Sequence, residues 1–276
     1  DDILDLAITS ADDKNISIFL GNGTSGVGDG TFTAGSSVST DLPTGIVTAD
    51  FDGDGILDLA TSITNSSATS GGVSVLLGNG DGTFAGAVNY VAGTFPSSID
   101  AGDFDNNGTI DIVITDRQAF LAPDETNQAF VFLGAGDGGF ATAEAFRSTA
   151  GTSTRSLTAG DFNRDGIQDV ATANLASDDV RVLYGNEAIP SPKNFAVGDA
   201  PSNVATGDFN SDNVPDLVVP NFTDDTVSIL IGSGSNTFVA TGDYPTTNGP
   251  LGVLTGDFNE DGIDDIVTAN RDSDNV

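Results

Sequence analysis

Five times in 276 residues the chain repeats one nine-residue phrase, and no other feature limits its possible folds so tightly. The phrase is clearest at Asp50-Phe51-Asp52-Gly53-Asp54-Gly55-Ile56-Leu57-Asp58. It returns at Asp103–Asp111, Asp161–Asp169, Asp208–Asp216 and Asp257–Asp265, at intervals of 47 to 58 residues. Positions 1, 3, 5 and 9 carry an oxygen-bearing side chain in every copy. A turn needs a glycine and one Asp or Asn, not four oxygens in fixed register. The repetition therefore points to a cage for a hard cation, Ca2+, in which alternate side chains converge and a glycine at position 6 permits the sharp bend.

The candidate ligands follow position by position. They are Asp50, Asp52, Asp54 and Asp58; Asp103, Asp105, Asn107 and Asp111; Asp161, Asn163, Asp165 and Asp169; Asp208, Asn210, Asp212 and Asp216; and Asp257, Asn259, Asp261 and Asp265. The backbone carbonyl at position 7 adds a further oxygen, from Ile56, Thr109, Ile167, Val214 and Ile263. Asp1 and Asp5 match positions 5 and 9 of a copy whose first four residues are missing. About five Ca2+ sites are expected. Asn107 for a carboxylate and Asn213 for the loop glycine should weaken their sites, although Asn enters the left-handed region more easily than most residues.

These are not EF-hand loops. That motif needs a Glu at position 12 and flanking helices, whereas position 12 of the clearest copy is Thr61 within the strand-like run Ile56–Ile63. Each loop is thus expected to join two antiparallel strands. A second phrase follows each one: Val73-Ser74-Val75-Leu76-Leu77-Gly78, then Gly80-Asp81-Gly82-Thr83-Phe84, a strand and a tight hairpin. In these hairpins Asp81 and Asp137 read as turn residues, not as ligands. The Phe at loop position 2 and the Phe closing each hairpin read as core rather than as a sugar-stacking surface.

Four short strands per period of roughly 50 residues make an all-β chain, a β-propeller of four-stranded antiparallel blades. About five periods are present, starting near residues 1, 54, 107, 165 and 212, with a partial sixth from 261. They are expected to form one domain over residues 1–276, part of a ring of six or seven blades, with strands 2 to 4 of the first blade and strands 1 and 2 of the last. Other repeat folds fit less well: a β-helix has a shorter coil, and the WD40 signature needs His and Trp, which the chain lacks.

The run [AG]-D-F-[DN]-x-[DN]-[GN]-x-x-D-[LIV], followed by V-S-[IV]-L-[LI]-G and G-D-G-T-F, resembles the FG-GAP or VCBS-type repeat of bacterial surface proteins and the calcium-binding blades of integrin α-subunit propellers. That resemblance implies a calcium-stiffened module, with the metal ligands on the loop positions named above. It implies little about the ligand, because the family includes adhesion receptors, lectins and appendages of secreted enzymes.

Composition narrows the function. Forty-one acids against eight bases leave a net charge of -33, which excludes nucleic acid as a partner. Insertion into a membrane is not expected, because no apolar run is long enough to span a bilayer. With no Cys, disulfides and thiol chemistry are excluded. With no His either, acid–base catalysis would fall to carboxylates, and eighteen of the 41 acids already belong to the loops. The expectation is a non-enzyme. Calcium loops in extracellular modules bind at about 10⁻⁴–10⁻³ M, which points to a secreted or cell-surface protein. Its partner is expected to be a protein or glycan ligand at the cell surface or in the matrix. An adhesion or interaction module is preferred to a lectin or an enzyme's carbohydrate-targeting appendage, since Trp is absent and Tyr is limited to Tyr90, Tyr184 and Tyr244. The chain starts in mid-motif without Met and reads as a portion of something longer. Two long loops between strands 2 and 3 of their periods, Thr64 to Gly71 and Arg117 to Gln128, are expected on the face opposite the calcium loops, with Arg117, Phe120 and Leu121 offering a partner surface.

Overall fold

A computed structural model of the protein describes residues 3–24, 26–65, 70–116, 128–142, 144–146, 153–185 and 192–276. The described residues contain 21 β-strands and no helix. The first sheet has three strands, β1 (Leu6–Ser10), β2 (Asn15–Thr24) and β3 (Val27–Ser39). Four four-stranded sheets follow. The second holds β4 (Leu42–Ala49), β5 (Asp58–Thr64), β6 (Gly71–Leu76) and β7 (Val88–Val91). The third holds β8 (Pro96–Gly102), β9 (Asp111–Asp116), β10 (Gln128–Phe132) and β11 (Glu144–Phe146). The fourth holds β12 (Thr154–Gly160), β13 (Asp169–Asn174), β14 (Asp179–Leu183) and β15 (Lys193–Ala196). The fifth holds β16 (Ala205–Gly207), β17 (Asp216–Asn221), β18 (Thr226–Gly232) and β19 (Phe238–Pro245). The last sheet pairs β20 (Pro250–Gly256) with β21 (Asp265–Asn270).

Each sheet is a meander in chain order, as short connections dictate. The expected strand positions hold to within a few residues, and each nine-residue loop joins the first two strands of its sheet, four-stranded in the first four cases and two-stranded for the Asp257 loop.

Burial follows strand order. All six residues of β9, β13 and β17, and the first six of β5, are buried, as befits a strand covered on both faces. The outer strands β7 and β15 are mostly exposed. Chain contacts divide the protein into two compact units: residues 1–101, 109–114 and 130–144, and residues 102–108, 115–129 and 145–276. In the first, Phe51, Val73, Val75, Ile112, Ile114 and Phe132 share one core and Ile16, Ile18, Leu59 and Leu76 another. In the second, Phe162, Val180, Val182, Tyr184, Leu217, Val219 and Leu230 form the larger core.

The loop phenylalanines are part of these cores. Phe51 meets Phe140 edge-on at 5.6 Å, and Phe162 meets Phe238 edge-on at 5.6 Å. In both cases the Phe of one oxygen-rich loop packs on the Phe that closes the hairpin of the next sheet, a contact worth about 0.5–1.5 kcal/mol beyond area burial. Phe258 departs from this pattern, with 61% of its surface exposed.

One hairpin differs from expectation. In the first sheet, Gly28-Asp29-Gly30-Thr31-Phe32 lies inside the long strand β3, and the ribbon continues past it to the pair Thr24↔Val27. The pairs Gly23↔Gly28 and Thr24↔Val27 extend the hairpin that elsewhere closes between Gly78 and Phe84 or Gly134 and Phe140. The expected partner surface at Arg117, Phe120 and Leu121 lies outside the described residues, as does Asp1. No helix among the described residues is long and apolar enough to cross a membrane.

Candidate metal centre

The backbone shapes the loops before any ion is considered. Position 6 has a positive φ in every copy: 86° at Gly55, 84° at Gly108, 88° at Gly166, 58° at Asn213 and 85° at Gly262. Position 4 does so as well, at Gly53, Asn106, Arg164, Ser211 and Glu260. No residue pattern marks this second left-handed position, since four different side chains and only one glycine occupy it. Two left-handed residues two apart coil the chain so that successive N–H groups point inward.

The position-1 carboxylate collects those N–H groups. Asp50 accepts from Asp54 (3.1 Å) and Gly55 (2.9 Å); Asp103 from Asn107 (3.1 Å) and Gly108 (2.8 Å). Asp161 accepts from Asp165 and Gly166, Asp208 from Asp212 and Asn213, and Asp257 from Asp261 and Gly262. At Asp208 burial pushes the carboxyl pKa up, but the surrounding backbone N–H groups of Asn213, Asn210, Asp212 and Ser211 outweigh it and leave it lowered.

The position-9 carboxylate has a different task. One oxygen accepts the N–H of the loop Phe: Asp58 from Phe51 (2.8 Å), Asp169 from Phe162 (3.0 Å), Asp216 from Phe209 (2.9 Å) and Asp265 from Phe258 (3.0 Å). The other accepts the N–H of a glycine in or just past the strand after the one it opens: Asp5 from Gly21, Asp58 from Gly78, Asp111 from Gly134, Asp169 from Gly185 and Asp216 from Gly232, at 2.7–2.9 Å. Asp58, Asp111, Asp169 and Asp216 are at most 1% exposed. This Asp therefore staples loop, second strand and third strand together, besides being a candidate ligand.

Burial dominates its ionisation. Desolvation raises the carboxyls of Asp58 and Asp216 above the ordinary range and pushes Asp169 up to about 7, with the neighbouring loop carboxylates adding to the rise against the two N–H bonds.

Oxygens converge most clearly in two loops. Asp50, Asp52 and Asp58 each offer an oxygen within 4.8 Å of the others, and so do Asp103, Asp105 and Asp111. Positions 1, 3 and 9 meet there. The position-5 side chain turns to its own loop: Asp54, Asp165, Asp212 and Asp261 accept the N–H two residues on, while Asn107 donates to Asp105. At position 3, Asn163 and Asn210 donate to the position-5 carboxylates. Asp5 accepts the Gly21 N–H and, among the described residues, belongs to no acidic cluster.

The donor set fits a hard divalent cation. Every candidate atom is an oxygen, three carboxylates crowd within 4.8 Å, and like charges this close repel unless a cation or proton lies among them. Asp81 and Asp137 accept hydrogen bonds from the backbone two residues on, as turn residues do; Thr83, donating with Oγ1 and N–H, lowers the Asp81 carboxyl.

Repeated antiparallel sheets, each opening on an oxygen-rich loop, define a class of all-β repeat proteins. Within it the chain belongs to the FG-GAP-like repeat family, whose pattern matches residues 1–61, 65–114, 117–172 and 208–268. No curated protein matches the sequence. Among solved structures, a functionally unknown protein from Desulfotomaculum acetoxidans is similar, with 9% identity, a TM-score of 0.62, and coverage of 91% of this chain and 68% of that one. A candidate 6-phosphogluconolactonase from Bacteroides uniformis aligns with 16% identity and a TM-score of 0.65 over 99% of this chain and 78% of its own. BBS1N, solved in complex with ARL6DN, aligns with 11% identity and a TM-score of 0.61 over 96% and 71%. At these identities the likeness is one of fold.

Proposed function

We propose that the chain is a non-catalytic, calcium-binding β-propeller module of a secreted or cell-surface protein, used in adhesion or protein interaction, with Ca2+ stiffening each repeat. The convergence of three carboxylates in the Asp50 and Asp103 loops carries this reading. Five repeats of one oxygen-only loop suit a hard cation held for structure, not a single reaction centre. The buried position-9 acids, each held by two backbone N–H groups in the Asp58, Asp169 and Asp216 copies, are poorly placed to move protons for a substrate. A protein or glycan ligand would dock on loops held rigid by the sheets.

Calcium should raise the melting temperature and EDTA should lower it. Asp50→Ala and Asp52→Ala should each remove about one calcium equivalent from an isothermal titration. A melting curve indifferent to both calcium and EDTA would sink the assignment. The adhesion reading is tested separately: replacing Arg117 to Gln128 by a Gly-Asn turn should keep calcium-dependent stability and weaken attachment to matrix. Unchanged attachment by the folded deletion would refute it.

A further inference from the structure

We propose that Asp264 is a positioning residue that ties the Asp208 loop to the Asp257 loop, so that the two take up their cations cooperatively; this rests on the calcium reading above. Asp264 stands at position 8 of its loop, directly before the candidate ligand Asp265. Its carboxylate Oδ2 accepts the backbone N–H of Asp208 at 2.8 Å, and its own backbone N–H donates to the Asp208 carbonyl at 3.2 Å. Both main-chain polar groups of the first residue of one loop are thus held by a single residue of the next. The Asp208 side chain is meanwhile oriented by its own loop, accepting from Asp212 at 3.2 Å and Asn213 at 2.9 Å. Asp264 therefore fixes where the Asp208 carboxylate starts from, and the loop fixes where it points.

No other copy has this arrangement. Position 8 is Leu4, Leu57, Ile110, Gln168 or Pro215 elsewhere. Gln168 keeps the main-chain half of the link, donating its N–H to the Asp103 carbonyl at 3.2 Å, but has no carboxylate. Pro215 has no N–H to give. Room for the Asp264 side chain comes from Gly207, where a Cβ would stand 3.2 Å from Oδ2. The strands that launch the two loops, β16 and β20, are themselves joined, since Thr255 Oγ1 donates to the Thr206 carbonyl, and Val253 of β20 also packs with Val218 of β17 and Val227 of β18.

The consequence follows by linkage. Filling the Asp257 loop fixes Asp265 and, through the adjacent residue, Asp264; this restricts Asp208 to its ligating position before its own cation arrives. Whatever the Asp257 site gives to the Asp208 site is returned in equal measure. Asp264 stands at none of the candidate ligand positions, so its effect is expected on affinity and order, not on the number of sites.

The chain contains no Trp, so Phe209→Trp places a single indole inside the Asp208 loop of the full chain, and red-edge excitation that the three tyrosines do not absorb makes it the one terbium sensitiser read. In this background, Asp261→Ala, which disables the neighbouring loop, should raise the terbium concentration for half-maximal emission about fivefold or more. Asp264→Ala should give a similar shift, the double variant no more than either alone, and Asp264→Asn, which keeps an acceptor, should largely restore affinity. Amide exchange supplies a second reading: the Asp208 N–H should exchange faster in Asp264→Ala even without metal. Equal half-saturation in all variants would overturn the coupling alone. No sensitised emission from the folded Phe209→Trp parent would overturn the metal reading and the coupling with it.

Discussion

At Asp169 the fold holds a carboxyl that would rather keep its proton: desolvation pushes it up to about 7, while the unfolded chain ionises near 3.8. Between those values the metal-free native state binds more protons than the unfolded state, so stability falls as pH rises through the window. Asp58 and Asp216 are raised as well and act in the same sense. In EDTA, the melting temperature should therefore decline from pH 5 to pH 8. In saturating calcium the decline should nearly vanish, because the cation replaces the proton as the partner of the ionised form. A melting temperature that rises with pH in EDTA would contradict the shifts. Asp169→Asn should flatten the EDTA profile while lowering stability throughout, since its single amide oxygen can accept from Phe162 or from Gly185 but not from both, and its NH2 meets the other N–H.

At the scale of the element, the staple explains a glycine. The residue whose N–H the position-9 Asp accepts is Gly21, Gly78, Gly134, Gly185 or Gly232, and a Cβ there would stand 2.2–2.4 Å from the carbonyl oxygen of the position-8 residue. Gly78→Ala must push strand β6 off the Asp58 carboxylate; a loss of about 2–4 kcal/mol in denaturant unfolding is expected. The left-handed position 4 gives a change of opposite sign. Ser211 sits at φ 61°, a conformation costing a non-glycine residue about 1–2 kcal/mol, so Ser211→Gly should be neutral to stabilising by up to about 1 kcal/mol. A clear loss of stability would show that the Ser211 side chain makes a contact that outweighs the strain. The turns after the second strands carry their own clamps: Asp178 accepts from Ala200 N–H at 2.9 Å, and Asp225 from Gly249 N–H at 2.8 Å. The doublets Asp178-Asp179 and Asp224-Asp225 were visible in the sequence, but nothing there distinguished them from ordinary turn acids.

For the whole molecule, 41 acids against eight bases mean that the metal-free chain repels itself. Sodium chloride should raise the melting temperature in EDTA by screening, and calcium at far lower ionic strength should raise it more, because it binds between the carboxylates instead of merely surrounding them. Equal effects of the two salts at matched ionic strength would mean that charge density alone, not the loops, governs stability. The loop order should persist on this background, with Asp54→Ala costing more calcium affinity than Asn107→Ala, since the first removes a charge and the second does not.

The sequence by itself determined the repeat, the strand-loop-strand grammar and the oxygen positions, because each is a local pattern: alternation sets a strand, and Asp, Asn and Gly at fixed offsets set a turn. It could not divide the labour among those oxygens. That Asp58 and its counterparts hold two strands, that position 1 gathers backbone N–H groups, and that Asp264 reaches Asp208 56 residues away depend on which backbone donors the packing brings near. The Asp letter is the same in each case. Its role is assigned by burial and by neighbours distant in the chain, and only the tertiary structure supplies those.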